Sequence, residues 1–356
     1  MKMCGLNVAV VGCGFVANDH LSAWKKTKLG RVMAICDLNE ALAKRMAEIW
    51  RIPKYYTSIS DLIENNHLDV IDICTPPQTH ASQAVQAMKA GFHVLLEKPM
   101  TMTVKDAEGI VKCEETSGMK AGVVHNWLFE PPIIRATKMV GEKRIDEVIS
   151  LDIEVLSTKY DSMAMNQNHW CHKLPGGRFS EMLAHPIYLC RHFLGDEIEV
   201  LDVNVSKVGD YAWMKSDELC ATFHVGNKFG RVYASFNSPR DAILLRLYGR
   251  TAILELDIIN ATIAVLSRRE RKRLRKGLDS FSHAAQLIKS TLGNMARVSV
   301  GKWSSGHETC IRLFAKGLLS DDKLPVSAED GLITIKSLEQ MCKRIEDEER
   351  HDQTNY

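Results

Sequence analysis

The run Leu6–Ala17, LNVAVVGCGFVA, constrains this chain more than any other stretch. It reads as a short buried strand, a glycine-rich turn and the start of a helix. Gly12 permits the tight turn, Gly14 lets backbone approach a pyrophosphate, and Ala17 stands where a third small residue lets helix pack on strand. Backbone N–H groups and the helix dipole then face an anion, with Phe15 and Val16 completing the contact. A second apolar run, RVMAIC, ends on Asp37, where a carboxylate accepts hydrogen bonds from adenosine ribose hydroxyls. A GxGxxA turn alone is common; with the strand, the helix and the acid in place, it marks a dinucleotide-binding domain. Asp37 repels a 2′-phosphate, and Leu38 and Asn39 supply no cation to offset it. The expected cofactor is therefore NAD in preference to NADP.

Around this stretch the pattern alternates. Apolar runs at 6–11, 31–36, 69–74, 92–96 and 121–125 are separated by helical segments, two of them closing on Gly91 and Gly118. Such alternation means right-handed crossovers and a parallel sheet, a Rossmann domain over residues 1–126. The period then changes. A long strand, VISLDIEVLSTKY, a helix from about Arg178 to Phe193, and six extended runs joined by short turns indicate a large, mostly antiparallel sheet. Residues 127–356 thus read as a C-terminal α+β domain for substrate binding and oligomerisation, and the fold class as α/β.

Length and composition set bounds. A chain of 356 residues accommodates two domains, and 45% hydrophobic with 25% charged residues is ordinary for a globular protein. A net charge of +2 carries no message about nucleic acid. Ten cysteines lack CxxC or zinc-like spacing, so reduced thiols in a cytoplasmic protein are expected. Cys13, within the glycine turn, reads as a small side chain facing away from the cofactor. The apolar residues near the start form the first strand rather than a signal peptide, and no uncharged run is long enough to span a membrane.

Three further features carry chemistry. CTPPQTH, Cys74–His80, lies at the carboxyl edge of a Rossmann strand, where open α/β sheets bind ligands. Thr75, Pro76, Pro77 and His80 suit a loop lying against a cofactor; an ordinary strand-to-helix loop capped by Thr79 fits equally. LLEKP, Leu95–Pro99, puts two charges at that edge. Lys98 can polarise a hydroxyl or carbonyl, with Glu97 paired to cofactor or backbone; a surface ion pair is the bland alternative. In PGGRFSEMLAHP, Glu181 and His185 stand four apart on one helix face. A histidine positioned by a carboxylate suits a general base, although such pairs also serve stability alone.

GCGFVA, Asp37, TPPQTH, EKP, HNWLFEPP and GG-x3-E-x3-H, in this order along nearly the whole chain, resemble the glucose–fructose oxidoreductase / inositol dehydrogenase (Gfo/Idh/MocA) family. The resemblance implies an NAD(P)-dependent dehydrogenase acting on a CH–OH group of a sugar, cyclitol or nucleotide-linked sugar. Its catalytic lysine falls on Lys98, its acid and histidine on Glu181 and His185, and the Lys98–Pro99 bond is often cis. Asn126 joins the cofactor residues, and His125, Trp170 and His172, with His169 nearby, join the substrate residues. Several positions depart from the family's pattern: Glu181 for the commoner aspartate, Arg178 for a third glycine, and Leu128 and Cys171 where arginine is frequent. These bear on the substrate, not the fold. Two other activities fit the resemblance: transient sugar oxidation with bound NAD for elimination or glycoside cleavage, and a non-catalytic dinucleotide sensor. No metal is required.

Lys98, Glu181 and His185 are expected to converge on one substrate carbon from the two domains. The partners expected are a carbohydrate-like small molecule and a second copy of the chain, in a dimer or tetramer covering an apolar face of the antiparallel sheet. Neither nucleic acid nor a membrane surface is expected. The basic run Arg268–Lys276 reads as a solvated connection, followed by an amphipathic helix whose stripe, Phe281, Ala285, Ile288, Leu292 and Met295, packs on the sheet; docking on anionic lipid or a phosphorylated substrate is the alternative.

Overall fold

A computed structural model describes residues 5–65, 67–267 and 273–354. The chain divides into two units, Met1–Asn126 with Gly306–Glu339, and Trp127–Ser305 with Gln340–Tyr356. The first unit therefore regains a segment that the sequence boundary at 126 leaves to the second.

In the first unit, β1 (Leu6–Val11), α1 (Ala17–Thr27), β2 (Gly30–Cys36), α2 (Glu40–Trp50), β3 (Lys54–Tyr56), α3 (Ile59–Glu64), β4 (Val70–Ile73), α4 (His80–Lys89), β5 (His93–Leu96), α5 (Val104–Ser117) and β6 (Ala121–Val123) alternate as expected. The six strands form one sheet in the order β3-β2-β1-β4-β5-β6, every pair parallel. The order reverses between β1 and β4, and in open α/β sheets ligands bind at such a switch point. Asn39 and Thr103 cap α2 and α5 through their side chains, which fixes where those helices begin. β3, three residues long, is too short to leave a periodic signal.

The second unit holds α6 (Pro131–Gly141), β7 (Val148–Thr158), α7 (Ser162–Met165), α8 (Gly177–Leu194), β8 (Ile198–Ser206), β9 (Glu218–Val225), β10 (Lys228–Ser238), β11 (Ala242–Gly249), β12 (Ala252–Asp257), β13 (Thr262–Ser267) and α9 (Arg273–Ser299). Its sheet runs β13-β12-β11-β7-β10-β9-β8. All pairs are antiparallel except β7 with β10. Leu151, Ile153, Val232, Ala234, Leu245, Leu247, Leu254 and Leu256 bury one face, on which α8 packs. The opposite face is not apolar as expected. Asp152 pairs with Arg231 at 3.2 Å and accepts from Tyr248 at 2.9 Å. Arg246 pairs with Glu255, and Glu218 accepts from Tyr233, Ser235 and Asn237. Phe229 and Tyr233, 53% and 37% exposed, stand beside these pairs, so the face is mixed, polar and apolar together.

The returning segment brings α10 (Gly306–Leu319) and the first part of α11 (Ala328–Thr354) to the Rossmann unit. Phe314 lies on Gly122, where a Cβ would come 2.7 Å from its ring, and Ser327 bridges to Gly122. Helical periodicity locates these segments but carries no sign of which sheet they cover. The first residues of the basic run, Arg268–Lys272, lie outside the described residues. No described helix is long and apolar enough to cross a membrane.

Gly230 stands opposite Phe223 across β10 and β9, and a Cβ there would enter the Phe223 ring. Gly230→Ala should therefore lower stability by about 1–3 kcal/mol, read as a fall in the urea midpoint; an unchanged midpoint would show that Phe223 moves aside freely.

Candidate active site

The glycine turn follows β1 at the switch point. Gly12 has φ +98°, and a Cβ on it would lie 2.7 Å from the Cys74 backbone, so only glycine fits. Gly14 differs: a Cβ there would meet no atom within 4 Å. The turn is tied from behind. Gly12 N–H donates to the Cys36 carbonyl at 2.7 Å. The Asp37 carboxylate accepts from Cys13 N–H at 2.8 Å and Asn39 N–H at 2.9 Å, leaving lone pairs for further donors. α1 starts without a side-chain cap, and Phe15 and Leu38 are 90% and 93% exposed. A bare glycine edge, an uncapped helix start and a fixed carboxylate fit a dinucleotide. Cys13 is buried, and burial, with Asp37 adding to it, pushes its thiol up to about 12; it packs and does not react.

The two loops beyond the neighbouring strands are laced together. Thr79 does not cap α4; its hydroxyl lies 2.9 Å from Thr75 Oγ1 and 3.0 Å from the Pro76 carbonyl. His80 lies between these two loops. It is fully buried, with Nε2 2.7 Å from the Thr75 carbonyl and Nδ1 3.1 Å from that of Pro99. Its burial pulls the imidazole below its usual range. The Lys98–Pro99 peptide is cis.

Glu97 also turns inward. Its Oε2 accepts the Lys98 backbone N–H at 3.0 Å, and Oε1 lies 2.9 Å from His20 Nε2 and 3.5 Å from His307 Nε2. His20 Nδ1 sits 2.9 Å from Asp72, which also accepts from Trp24 Nε1 at 2.7 Å. Burial alone would push Glu97 up and His20 down. The hydrogen bonds and charge of His20 and His307 instead hold Glu97 well below the carboxylate range, and the Asp72 charge holds His20 well above the imidazole range. His20, Glu97 and His307 bring three ligand atoms within 4.8 Å, as do His20, Asp72 and Cys74; several of these atoms already pair with one another. Sequence reasoning missed His20, Trp24, Asp72 and His307. The available signal was Asp72, a carboxylate inside the buried parallel strand VIDI. Asn126, 3.4 Å from His307, and His125 are buried beside this network's strand ends.

In the second unit, His185 lies on α8 and is 7% exposed. Its ring stacks on Trp127 at 4.0 Å, and Nδ1 is 2.6 Å from the Tyr188 hydroxyl, which also accepts the Trp127 backbone N–H at 3.0 Å. Trp127 and Tyr188 were not singled out from sequence, although Tyr188 follows His185 by one helical step. Glu181 forms a buried ion pair with Arg178, whose Nη2 reaches Asp161 at 3.4 Å. Burial would lower the Arg178 guanidinium; Glu181 and Asp161 raise it instead. Arg178 Nε is buried with no hydrogen-bond partner among the described residues. His172 Nε2 lies 2.9 Å from the Met163 carbonyl, and His169 caps the turn carrying Trp170.

The same residues can be set beside those of known proteins. The description "Oxidoreductase family, NAD-binding Rossmann fold" of Gfo/Idh/MocA matches residues 6–125, and relatives along the chain include a myo-inositol 2-dehydrogenase of Thermotoga maritima. That enzyme is 25% identical over 58% of this chain and 62% of its own. Residues 6–125 belong to the Gfo/Idh/MocA oxidoreductase family. The uncharacterized protein YMR315W of Saccharomyces cerevisiae is 28% identical over 72% of this chain and 75% of its own. The WlbA dehydrogenase of Bordetella pertussis, solved with NADH and UDP-GlcNAcA, superposes with TM-score 0.79 at 17% identity over 96% of both chains, a likeness of fold. The departure at Arg178 from the pattern the sequence resembles has a physical counterpart: this arginine supplies the partner that lets Glu181 be buried.

His20 gains its raised pKa only on folding. Its contribution is complete below the unfolded value of about 6.5 and is lost as pH rises through the folded one. Wild-type urea midpoints should therefore fall on the alkaline side of neutrality. Asp72→Asn should cost about 3–5 kcal/mol and flatten that fall; parallel pH curves for the two proteins would contradict the assignment.

Proposed function

We propose that this oxidoreductase is an NAD-dependent dehydrogenase of the CH–OH group of a sugar, cyclitol or nucleotide-linked sugar. The observation that carries the reading is His185, stacked on Trp127 and held at Nδ1 by Tyr188, in a chain that also presents the EKP lysine and a bare glycine edge. When bound, NAD supplies the carbon that exchanges the hydride. The backbone at Gly14 and the start of α1 hold the pyrophosphate, and Asp37 holds the adenosine ribose while repelling a 2′-phosphate. His185 takes the hydroxyl proton in oxidation, and Lys98 stabilises the developing alkoxide. Glu181 and Asp161 hold Arg178 in place. The names of the T. maritima myo-inositol dehydrogenase and the WlbA complex with a nucleotide sugar support this substrate class.

Gly14→Val fills space that the fold leaves open, so it should keep wild-type thermal stability and abolish NAD binding by calorimetry. If it binds NAD normally, the glycine edge is not the cofactor site. Wild-type protein should bind NAD more tightly than NADP in the same titration; the reverse order would sink the role given to Asp37. A screen of sugars, cyclitols and nucleotide sugars by NADH fluorescence identifies the substrate. On that substrate His185→Ala and Lys98→Met should each lower kcat by about 10²–10⁴-fold while NAD affinity holds. Near wild-type turnover in either variant would remove that residue from the mechanism.

A further inference from the structure

The stripe along α9 does not pack on the sheet as the sequence suggests. Leu278, Phe281, Ile288, Leu292 and Met295 are 59–77% exposed. The polar side of the helix is the one that docks. Gln286 accepts from Val265 N–H at 2.9 Å and donates to its carbonyl at 3.1 Å. Asn294 donates to the Ala261 carbonyl at 2.8 Å, and Ser290 accepts from Arg135. At 3.6 residues per turn Gln286, Ser290 and Asn294 share one side, and the apolar stripe lies across the helix from them. A helix of 27 residues thus holds its backbone to the protein by amides and turns its hydrophobic face to solvent.

The surroundings of α9 are cationic. Among the described residues, a cavity of about 390 Å³ on its flank is lined by Arg135, Arg144, Lys289 and Arg297 and by no carboxylate. Burial, with Arg297 nearby, holds Arg135 below the usual guanidinium range, as expected of positive charge without an acidic neighbour. Residues 268–302 carry ten lysines and arginines against two acids, in a chain whose net charge is only +2. Two copies meeting on this face would bring like charge together. An anionic lipid surface supplies both the opposite charge and the apolar interior that the stripe lacks.

We propose that α9 docks this protein on an anionic phospholipid bilayer, its outward stripe entering the interface and the four-cation cavity beside it receiving a lipid phosphate. The experiment is co-sedimentation of the full chain with vesicles of phosphatidylcholine alone or mixed with phosphatidylglycerol. Binding should be at least about tenfold stronger on the mixed vesicles. Ile288→Gln/Leu292→Gln and Arg144→Gln/Arg297→Gln alter exposed side chains, so both should keep the wild-type melting temperature and each should lose at least about tenfold in vesicle binding. Equal or absent binding to the two vesicle types overturns the proposal. So does protection against heating by inorganic phosphate, lost in Arg144→Gln/Arg297→Gln, with no sedimentation on vesicles, which would make the cavity a site for soluble phosphate. A wild-type dimer in light scattering that Ile288→Gln/Leu292→Gln dissociates without changing vesicle binding overturns it in favour of a second copy.

Discussion

Two carboxylates, Asp72 and Glu97, lie on either side of one imidazole, His20, where almost no water reaches. Taking such charges out of water is costly, and mutual attraction repays the cost only when the remaining lone pairs are also satisfied. Here Trp24 and the Lys98 backbone supply those donors. The arrangement joins α1, β4 and the loop after β5, so the segment that carries Lys98 takes its position from residues behind the glycine turn. His80 adds a second tie from the neighbouring loop, its two ring nitrogens lying against the carbonyls of Thr75 and Pro99 and its single N–H bonding one of them. The edge of the sheet where chemistry is expected is thus held from two sides.

How much of this was legible in the sequence depended on distance along the chain. The glycine turn, EKP and the acid-x3-His spacing are short-range patterns whose side chains share a turn, an edge or a helix face, and the parallel and mostly antiparallel sheets follow from hydrophobic period. The His20–Asp72 and His20–Glu97 pairings span 52 and 77 residues, and nothing local announces them. The return of Gly306–Glu339 to the first unit was hidden for a similar reason: a helix's period defines a face without naming what that face meets. In α9 the same limit reversed the outcome, since the periodicity gave the right axis and packing chose the polar side of it.

The outer face of the second sheet and Arg178 show a shared logic. Alternation along RVYASFN and LLRLYG predicts a half-buried strand, yet the outward residues neutralise one another in pairs and triads across strands. Likewise Arg178, foreign to the family's glycine position, is paired on both sides by Glu181 and Asp161. Cross-strand and i,i+3 partners of opposite charge make these positions tolerable where a lone charge would not be.

Gln286 also shields the edge of β13. An edge strand normally presents unpaired N–H and C=O groups to any passing chain, and here one amide side chain occupies both groups of Val265. Because the attachment is made to backbone, it is indifferent to the side chains of the strand and of the helix's far side. The outer residues of α9 are therefore free to diverge without disturbing the sheet, which makes this helix the part of the molecule where new surface behaviour can evolve at least cost to the core.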